Sequence, residues 1–350
     1  MTFVSVGAIF CKCRVKEDEM AGEPKFGLML QGTNVRRDVE MAKYADRHGA
    51  DSVWVLETRL VADAIGPMAV YAAATERVRV GSAVLPLWTR NPALLASTFA
   101  TLDLLAPGRM VMGLGAWWEP LATRVGVKRQ RSVRAMREVI ESVRMLLSMK
   151  EEVDYDGDYV HMEKLYLDHG GTRPHDVKAY IGAVGDQMLR LTGRVADGAV
   201  LNSNHTSGAV RRAVEKIKAG ADAAGRSLDE IDRMKILPVK VSRDKKALLE
   251  AVKPRLALYL AQQPHIEGPS EADPELVQRI KQVIQWPATE AQALEGAKLI
   301  PDALAESLGC YGDEDEVRAR LKEYREAGMT GPIVPEATTE TVDFLAKGGW

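Results

Sequence analysis

The sequence predicts a (β/α)8 barrel, because eight β-rich runs alternate with amphipathic helical stretches along its 350 residues. Parallel strands joined by helices cross over right-handedly, and eight such repeats can close on themselves with the helices outside. The composition, 46% apolar and 27% charged, is that of a globular protein with a large core. A doubly wound open sheet is the alternative, because strand counts from one sequence are fallible.

The predicted strands are runs of apolar and β-branched residues, each followed by a helical pattern or a turn. The first, FGLMLQG, precedes a helix over residues 34–48 in which Val35, Val39, Ala42 and Ala45 lie on one face. The eight strands are expected at residues 26–32, 52–57, 77–86, 109–116, 178–185, 198–203, 234–242 and 331–334.

Two stretches interrupt the alternation, and both are expected to be insertions into a single barrel domain over residues 25–350. Residues 151–176, after the fourth strand, indicate a small β-insert and a loop. Residues 262–300, after the seventh strand, are rich in Pro, Gln and Glu. Residues 1–24 carry no clear pattern, so we expect an N-terminal extension without regular structure.

The charge balance argues against nucleic acid or an anionic membrane as a partner. The sequence contains 47 Lys and Arg residues and 49 Asp and Glu residues, which gives a net charge of −2. A protein with this balance has no overall positive charge to attract a polyanion. No apolar run reaches the roughly 18 residues of a membrane span, and the first residues lack the pattern of a secretory signal. Three Cys residues do not make a disulfide framework, so a cytoplasmic protein with a small-molecule substrate is expected.

In such a barrel the active site lies at the C-terminal ends of the strands, so those ends supply the candidates. Glu57 ends the apolar strand SVWVL and is the best catalytic candidate, because its carboxylate would emerge at the barrel mouth. The alternative role for Glu57 is an ion pair with Arg59 or a hydrogen bond to a loop amide.

Glycine spacing after the fourth and fifth strands indicates close approach of a ligand to the backbone. Gly113 and Gly115 lie in GLGA, and GAVGDQM runs from Gly182 directly into a helix N-terminus, which suits a phosphate. Neither matches the dinucleotide fingerprint or the P-loop, and both are also compatible with ordinary tight turns. Trp88, Trp117 and Trp118 follow strands three and four, where they would wall a conjugated ligand or simply pack.

Other chemistries lack their motifs. The six His residues show no HExxH and no pair at ligand spacing, so no metal site is predicted. No GxSxG elbow is present, and Cys310 has no paired His in the sequence. The CxC at Cys11 and Cys13 is weak evidence for a metal.

Several segments together resemble the bacterial-luciferase-like superfamily. They are FGLML, GADSVWVLE, GSAVLPLWTRNP, GRMVMGLGAW, RSVRAMREVIESVRMLL and KAYIGAVGDQMLRLTGRVADGAVLNS. Within that superfamily they are most similar to the reductases that use the deazaflavin coenzyme F420, including the methylenetetrahydromethanopterin reductase branch. The likeness covers residues 25–203 and the last helix and strand, and the GSAVLPLWTRNP and GAVGDQMLRLTGRVADG blocks are its specific parts.

The resemblance implies a barrel that holds F420, or alternatively FMN, with its ring at the C-terminal mouth. A non-prolyl cis peptide at Ala83–Val84 would back the ring, and the turn Gly182–Gly185 would contact the phosphate. The implied cofactor-binding residues are Gln31, Glu57, Ala83, Val84, Leu85, Gly113, Gly115, Gly182, Ala183, Val184, Gly185, Asp186, Gln187 and Met188. The expected substrate-binding residues are Thr58, Trp88, Trp117 and Trp118.

Departures from the family pattern leave the substrate open. Sugar-phosphate dehydrogenases of this type carry a His, a Trp and a Glu where this chain has Thr58, Ala62 and Ala116, and the pterin reductases carry a Glu at Met29. We therefore expect hydride transfer between C5 of F420 and a small organic molecule. An FMN-dependent monooxygenase and a non-catalytic barrel subunit are the alternatives, and a homodimer pairing through helices two and three, near Ala69–Thr75, is expected.

Overall fold

The computed structural model describes residues 25–168 and 173–350, which form a closed parallel barrel. Its strands, in chain order, are β1 (Gly27–Leu30), β2 (Ser52–Val55), β3 (Arg79–Ser82), β4 (Leu85–Pro86), β5 (Met110–Gly115), β8 (Lys178–Gly182), β9 (Gly198–Leu201), β10 (Asp232–Ile236) and β13 (Gly331–Pro335). The order is β3-β2-β1-β13-β10-β9-β8-β5-β4, and the pairing of β3 with β5 closes it. The predicted barrel is confirmed and the open sheet is wrong.

Two of the predicted strands are broken. The third predicted strand forms two segments, β3 and β4, on either side of the cis peptide bond between Ala83 and Val84. The eight strands of the barrel therefore consist of nine segments. The seventh ends in the barrel at Ile236, and its continuation β11 (Val239–Val241) pairs outside the barrel with β12 (Cys310–Gly312). Strand breaks at the mouth place loop backbone where a ligand can reach it.

Helices surround the barrel and cover its outer face. They are α1 (Val35–Arg47), α2 (Ile65–Ala74), α3 (Pro92–Leu105), α4 (Leu121–Arg124), α5 (Ser132–Ser148), α6 (Asp186–Val195), α7 (Ser207–Asp222), α8 (Lys245–Gln262), α9 (Glu267–Ser270), α10 (Pro274–Val283), α11 (Glu290–Ala297), α12 (Asp302–Ser307), α13 (Glu314–Glu326) and α14 (Thr339–Phe344). Side-chain caps fix several starts: Thr206 accepts from the Ala209 amide and Asp244 from that of Ala247.

Both interruptions seen in the sequence contain regular elements within the described residues. The first contains the antiparallel hairpin of β6 (Val153–Asp156) and β7 (His161–Leu165). Buried Glu138 on α5 holds this hairpin by accepting the amide hydrogens of Asp158, Tyr159 and Val160. The second interruption is mostly helical, and its helices α10 and α11 pack on α8 around a separate apolar cluster.

Large side chains fill the barrel interior and close its N-terminal end. Trp54 and Tyr180 are buried there with ring centroids 5.5 Å apart, and a Cβ on Gly81 would lie 2.6 Å from the Trp54 ring. Below them, Arg79 pairs with Asp51 at 2.6 Å and with Asp232 at 3.0 Å. Among the described residues, these side chains fill the N-terminal end of the barrel and leave its C-terminal end for a ligand.

The described helices include none that is both long and apolar enough to cross a membrane. Residues 1–24, with Cys11 and Cys13, lie outside the described part of the chain.

Candidate active site

A cavity of about 480 Å³ opens at the C-terminal end of the barrel, within the size range of small-molecule sites. The predicted site residues that line it come from four strand ends: Glu57, Thr58, Ala83, Val84, Gly115, Trp117, Trp118, Gly182, Val184, Gly185 and Met188. Residues that were not predicted complete the wall: Leu56, Pro86, Ala116, Glu119, Arg129, Val200, Asn202, Ile236, Gln263, Pro264 and His265.

The remaining predicted site residues lie outside this lining: Gln31, Leu85, Trp88, Gly113, Ala183, Asp186 and Gln187. Leu85 and Ala183 are buried in the layer between strands and helices. A Cβ on Gly113 would lie 1.9 Å from the Ser82 carbonyl oxygen, so this glycine serves strand packing. Trp88 donates to the Ala116 carbonyl at 2.9 Å and stands edge-on to Tyr159.

Glu57 is tied to a cation that the sequence analysis did not select. Its two carboxylate oxygens accept from Arg90 Nη1 at 2.8 Å and Nη2 at 3.0 Å, and Oε2 also accepts the Ala64 amide hydrogen at 2.9 Å. The pairing with Arg59 considered as an alternative is not formed, whereas the loop amide is. Bidentate pairing with a half-buried guanidinium fixes the orientation of the Glu57 side chain.

The turn after β8 gives the backbone access that a phosphate needs. Gly185 is extended, with φ −80° and ψ 151°, and α6 begins after it without a side-chain cap. A Cβ at Gly185 would have no heavy atom within 4 Å, so the space beside this backbone is open. The unoccupied amide groups of the first helical turn and the positive end of the helix dipole favour an anion there.

Val84 forms the floor of the cavity between β5 and β8. The preceding peptide bond is cis, as the resemblance implied. A Cβ on Gly115 would lie 2.4 Å from a Val84 methyl group, and one on Gly182 would lie 3.1 Å away. The two glycines therefore leave room for the Val84 side chain against the strands, and Val84 makes this part of the cavity wall apolar.

One side of the mouth is built by the second insertion, which strand-end reasoning could not find. Gln263, Pro264 and His265 follow α8 and line the cavity. Burial, together with the nearby Arg129 charge, lowers the pKa of His265 below its usual value, so its imidazole is neutral near pH 7. Trp118 stands edge-on to Trp286 of the same insertion, with ring centroids 5.2 Å apart.

Arg129 holds the loop after β5 in place. It donates to the Trp117 carbonyl at 2.7 Å and to Glu119 Oε1 at 2.9 Å. Trp117 itself has φ 61°, a left-handed backbone that non-glycine residues adopt with strain and that is common at functional sites. The part of the chain that the structure describes contains no cluster of three or more potential metal ligands.

The structure combines a closed barrel, a ligand cavity at its mouth, an interrupted third strand and a glycine turn that leads into a helix. Together these features define a recognised class of barrel proteins. A profile of the luciferase-like monooxygenase family matches residues 7–331 of the sequence. The chain belongs to this family.

Characterised relatives extend over nearly the whole chain. A 5,10-methylenetetrahydromethanopterin reductase of Archaeoglobus fulgidus is 28% identical over 314 residues, which cover 87% of this chain and 92% of that protein. An F420-dependent glucose-6-phosphate dehydrogenase of Gordonia bronchialis is 27% identical over 328 residues, 89% of this chain and 90% of that protein. The coenzyme F420-dependent tetrahydromethanopterin reductase of Methanopyrus kandleri superposes with a TM-score of 0.82 at 24% identity, over 93% and 98% of the two chains.

Proposed function

We propose that this protein is an F420-dependent oxidoreductase that transfers a hydride between C5 of the deazaflavin and a small organic substrate. The observation that carries the proposal is the open glycine turn Gly182–Gly185 beside a cavity of about 480 Å³, in a chain whose relatives named above include F420-dependent enzymes. When bound, the deazaflavin supplies the hydride chemistry, and the protein supplies binding and orientation.

The described residues fit such a cofactor. Val84 and Ala83 offer an apolar floor for a flat ring, and Val84 is packed against two glycines that fix its position. The amides that follow Gly185 would bind the phosphate, with Met188 on the same helical turn. Leu85, Gly113 and Ala183 are buried behind this surface, whereas the side chains of Asp186 and Gln187 are exposed and would contribute only their backbone amides.

Glu57 fits a positioning role better than proton transfer. Both of its oxygens are already occupied by Arg90 and the Ala64 amide, so a proton on the carboxylate would weaken three hydrogen bonds. We assign to the Glu57–Arg90 pair the task of fixing the loop after β2 and presenting a charged group at the cavity wall.

The substrate would lie between the floor and the tryptophans of the loop after β5. Trp117 and Trp118 border the cavity and would exclude water from the reacting atoms, and the Thr58 hydroxyl offers a hydrogen bond. Trp88 would not contact the substrate. It would instead help to position Ala116, whose carbonyl accepts a hydrogen bond from the Trp88 indole N–H. A cavity of this size counts against the non-catalytic alternative, in which the insertion would fill the mouth.

Assembly as a cytoplasmic homodimer is part of the proposal. Large apolar side chains are exposed on α2 and α3, with Leu94 68% and Leu104 52% exposed. Exposed apolar surface of this kind is typical of an interface between subunits.

Thermal unfolding in the presence of F420 or FMN tests the cofactor assignment. Oxidised F420 should raise the melting temperature in a concentration-dependent manner, because a ligand bound only to the folded state stabilises it. FMN should give a smaller shift, and oxygen consumption with reduced FMN should be absent. Stabilisation by FMN alone, with oxygen uptake, would instead establish the monooxygenase that the family name describes.

A further inference from the structure

We propose that the substrate of this site is an organic anion whose charged group binds the guanidinium of Arg59. The inference rests on the proposed function, since it names the substrate class of the same cavity. Arg59 follows Thr58 and packs against Trp118, both of which line the cavity. Three independent observations on Arg59 support the inference: its missing partner, its aromatic surroundings and its strained backbone.

The guanidinium of Arg59 has no counterion within the described residues. Its Nη2 is buried without a hydrogen-bond partner, and no carboxylate of those residues acts on its charge. Burial lowers the pKa of Arg59; Tyr259 opposes this effect and the charge of Arg255 adds to it. A partly buried cation without a partner is costly, whereas an anion delivered by a ligand would reduce that cost.

Aromatic rings hold the guanidinium in a fixed position. Its central carbon lies 5.1 Å from the ring centroid of Tyr259, 5.5 Å from that of Trp118 and 5.9 Å from that of Trp286. The faces of these rings attract a cation but leave its hydrogen-bond donors free. The indole nitrogens of Trp118 and Trp286 are also buried without acceptors, so donors predominate around Arg59.

The backbone is strained at Arg59, whose guanidinium lies among these three aromatic rings. Arg59 has φ 52° and Leu60 has φ 57°, two consecutive left-handed residues without glycine. Such a conformation costs free energy and is retained when the surroundings enforce it, which is common at ligand-binding positions. Glu57, the carboxylate two residues before Arg59 in the sequence, pairs with Arg90 instead.

The other charges of the cavity wall are balanced. Glu57 is matched by Arg90 at 2.8 Å, and Glu119 by Arg129 at 2.9 Å. Beside this mouth, Arg59 is therefore the partly buried charge that no carboxylate of the described residues compensates, whereas Arg124, which also lacks a carboxylate partner, is exposed. Since Arg59 is only partly buried, an anionic group at the mouth can reach its remaining N–H donors.

Paired probes of equal shape test the inference. Benzoate and benzamide differ in charge but not in size, and calorimetric titration of the purified protein with each gives a dissociation constant without requiring turnover. We expect benzoate to bind at least about tenfold more tightly than benzamide, as a charge-assisted hydrogen bond predicts. Arg59→Gln should abolish that preference. The matched control is Arg124→Gln, whose guanidinium also lies 5.8 Å from the Trp286 ring centroid but on an exposed residue, and it should retain the preference.

Equal affinities of the wild-type protein for the two probes would overturn the inference, and this comparison requires no variant to fold. Retention of the preference in Arg59→Gln would overturn it as well. A loss of F420 binding in Arg59→Gln would assign Arg59 to the cofactor, which refutes the inference and leaves the proposed function intact. An Arg59-dependent benzoate preference in a protein that fails to bind F420 would refute the proposed function and leave the anion site intact.

Discussion

The guanidinium of Arg90 binds both carboxylate oxygens of Glu57, at 2.8 Å and 3.0 Å, and at the same time contacts Asp63 at 2.5 Å. One arginine thus joins the loop after β2, which borders the cavity, to the loop after β4. The sequence alone leaves two roles open for Glu57: anchoring the loops or transferring a proton. Because Arg90 occupies both carboxylate oxygens, the two roles predict different effects when Glu57 is substituted.

Glu57→Gln should weaken cofactor binding more than it slows catalysis. The variant keeps the shape but removes the charge that holds Arg90, so we expect roughly tenfold weaker F420 affinity and a change in kcat of only a few-fold. A proton-transfer role would instead lower kcat by about 10²–10⁴-fold with affinity unchanged. Asp63→Asn, at the exposed partner of the same arginine, is the control and should have little effect.

Gly185→Ala should fold normally but bind the cofactor poorly. Its φ and ψ suit alanine, and the added Cβ meets no heavy atom within 4 Å, so the melting temperature should not fall. The methyl group would occupy the space beside the amides that we assign to the phosphate, and we expect at least about tenfold weaker F420 binding. Gly66→Ala, another open glycine away from the cavity, should bind F420 like the wild-type protein.

Removing Arg79 should destabilise the barrel strongly. Arg79→Met would leave Asp51 and Asp232 without their shared cation at the closed end of the barrel. We expect the free energy of unfolding, measured with urea, to fall by about 3–5 kcal/mol, the usual cost of breaking a buried pair. Lys218→Met, which breaks an exposed pair with Asp222, should change it by less than about 1 kcal/mol.

The contribution of Asp232 to stability should depend on pH. Burial alone would raise the pKa of Asp232, but Arg79 and the Tyr180 hydroxyl outweigh it and hold the pKa below its usual value. A lowered pKa in the folded state stabilises the fold above the unfolded value of about 3.9, and this is lost as pH falls through the folded pKa. The stability difference between wild type and Asp232→Asn should therefore be largest near neutral pH and shrink below about pH 4. A difference that grows with acidity would contradict the assignment.

Charged substitutions on α3 should disrupt the proposed dimer. Light scattering of the wild-type protein at micromolar concentration should give the mass of two chains, and Leu94→Glu combined with Leu104→Glu should give one. Leu294→Glu, an equally exposed leucine on α11, should leave the dimer intact. A wild-type protein that is monomeric at this concentration would exclude the interface.

The sequence predicted the barrel because strand and helix patterns are local properties. The turn Gly182–Gly185 and the strand end at Glu57 were found for the same reason, since the C-terminal ends of parallel strands gather at one face. The partner of Glu57 was missed because Arg90 lies 33 residues away, and only the tertiary fold brings it closer than Arg59. His265 and Trp286 were missed because they belong to the second insertion. This insertion is not part of the repeated strand–helix pattern, so reading the strand ends could not identify its residues.

We propose that a deazaflavin binds across the mouth of this barrel with its phosphate on the turn after β8. This binding can be measured by equilibrium titration of the purified protein with oxidised F420, followed by absorbance and fluorescence. We predict a saturable spectral change with one F420 per chain in the wild-type protein, and a much weaker one in Gly185→Ala. No spectral change at any F420 concentration, or equal binding by wild type and Gly185→Ala, would contradict the account.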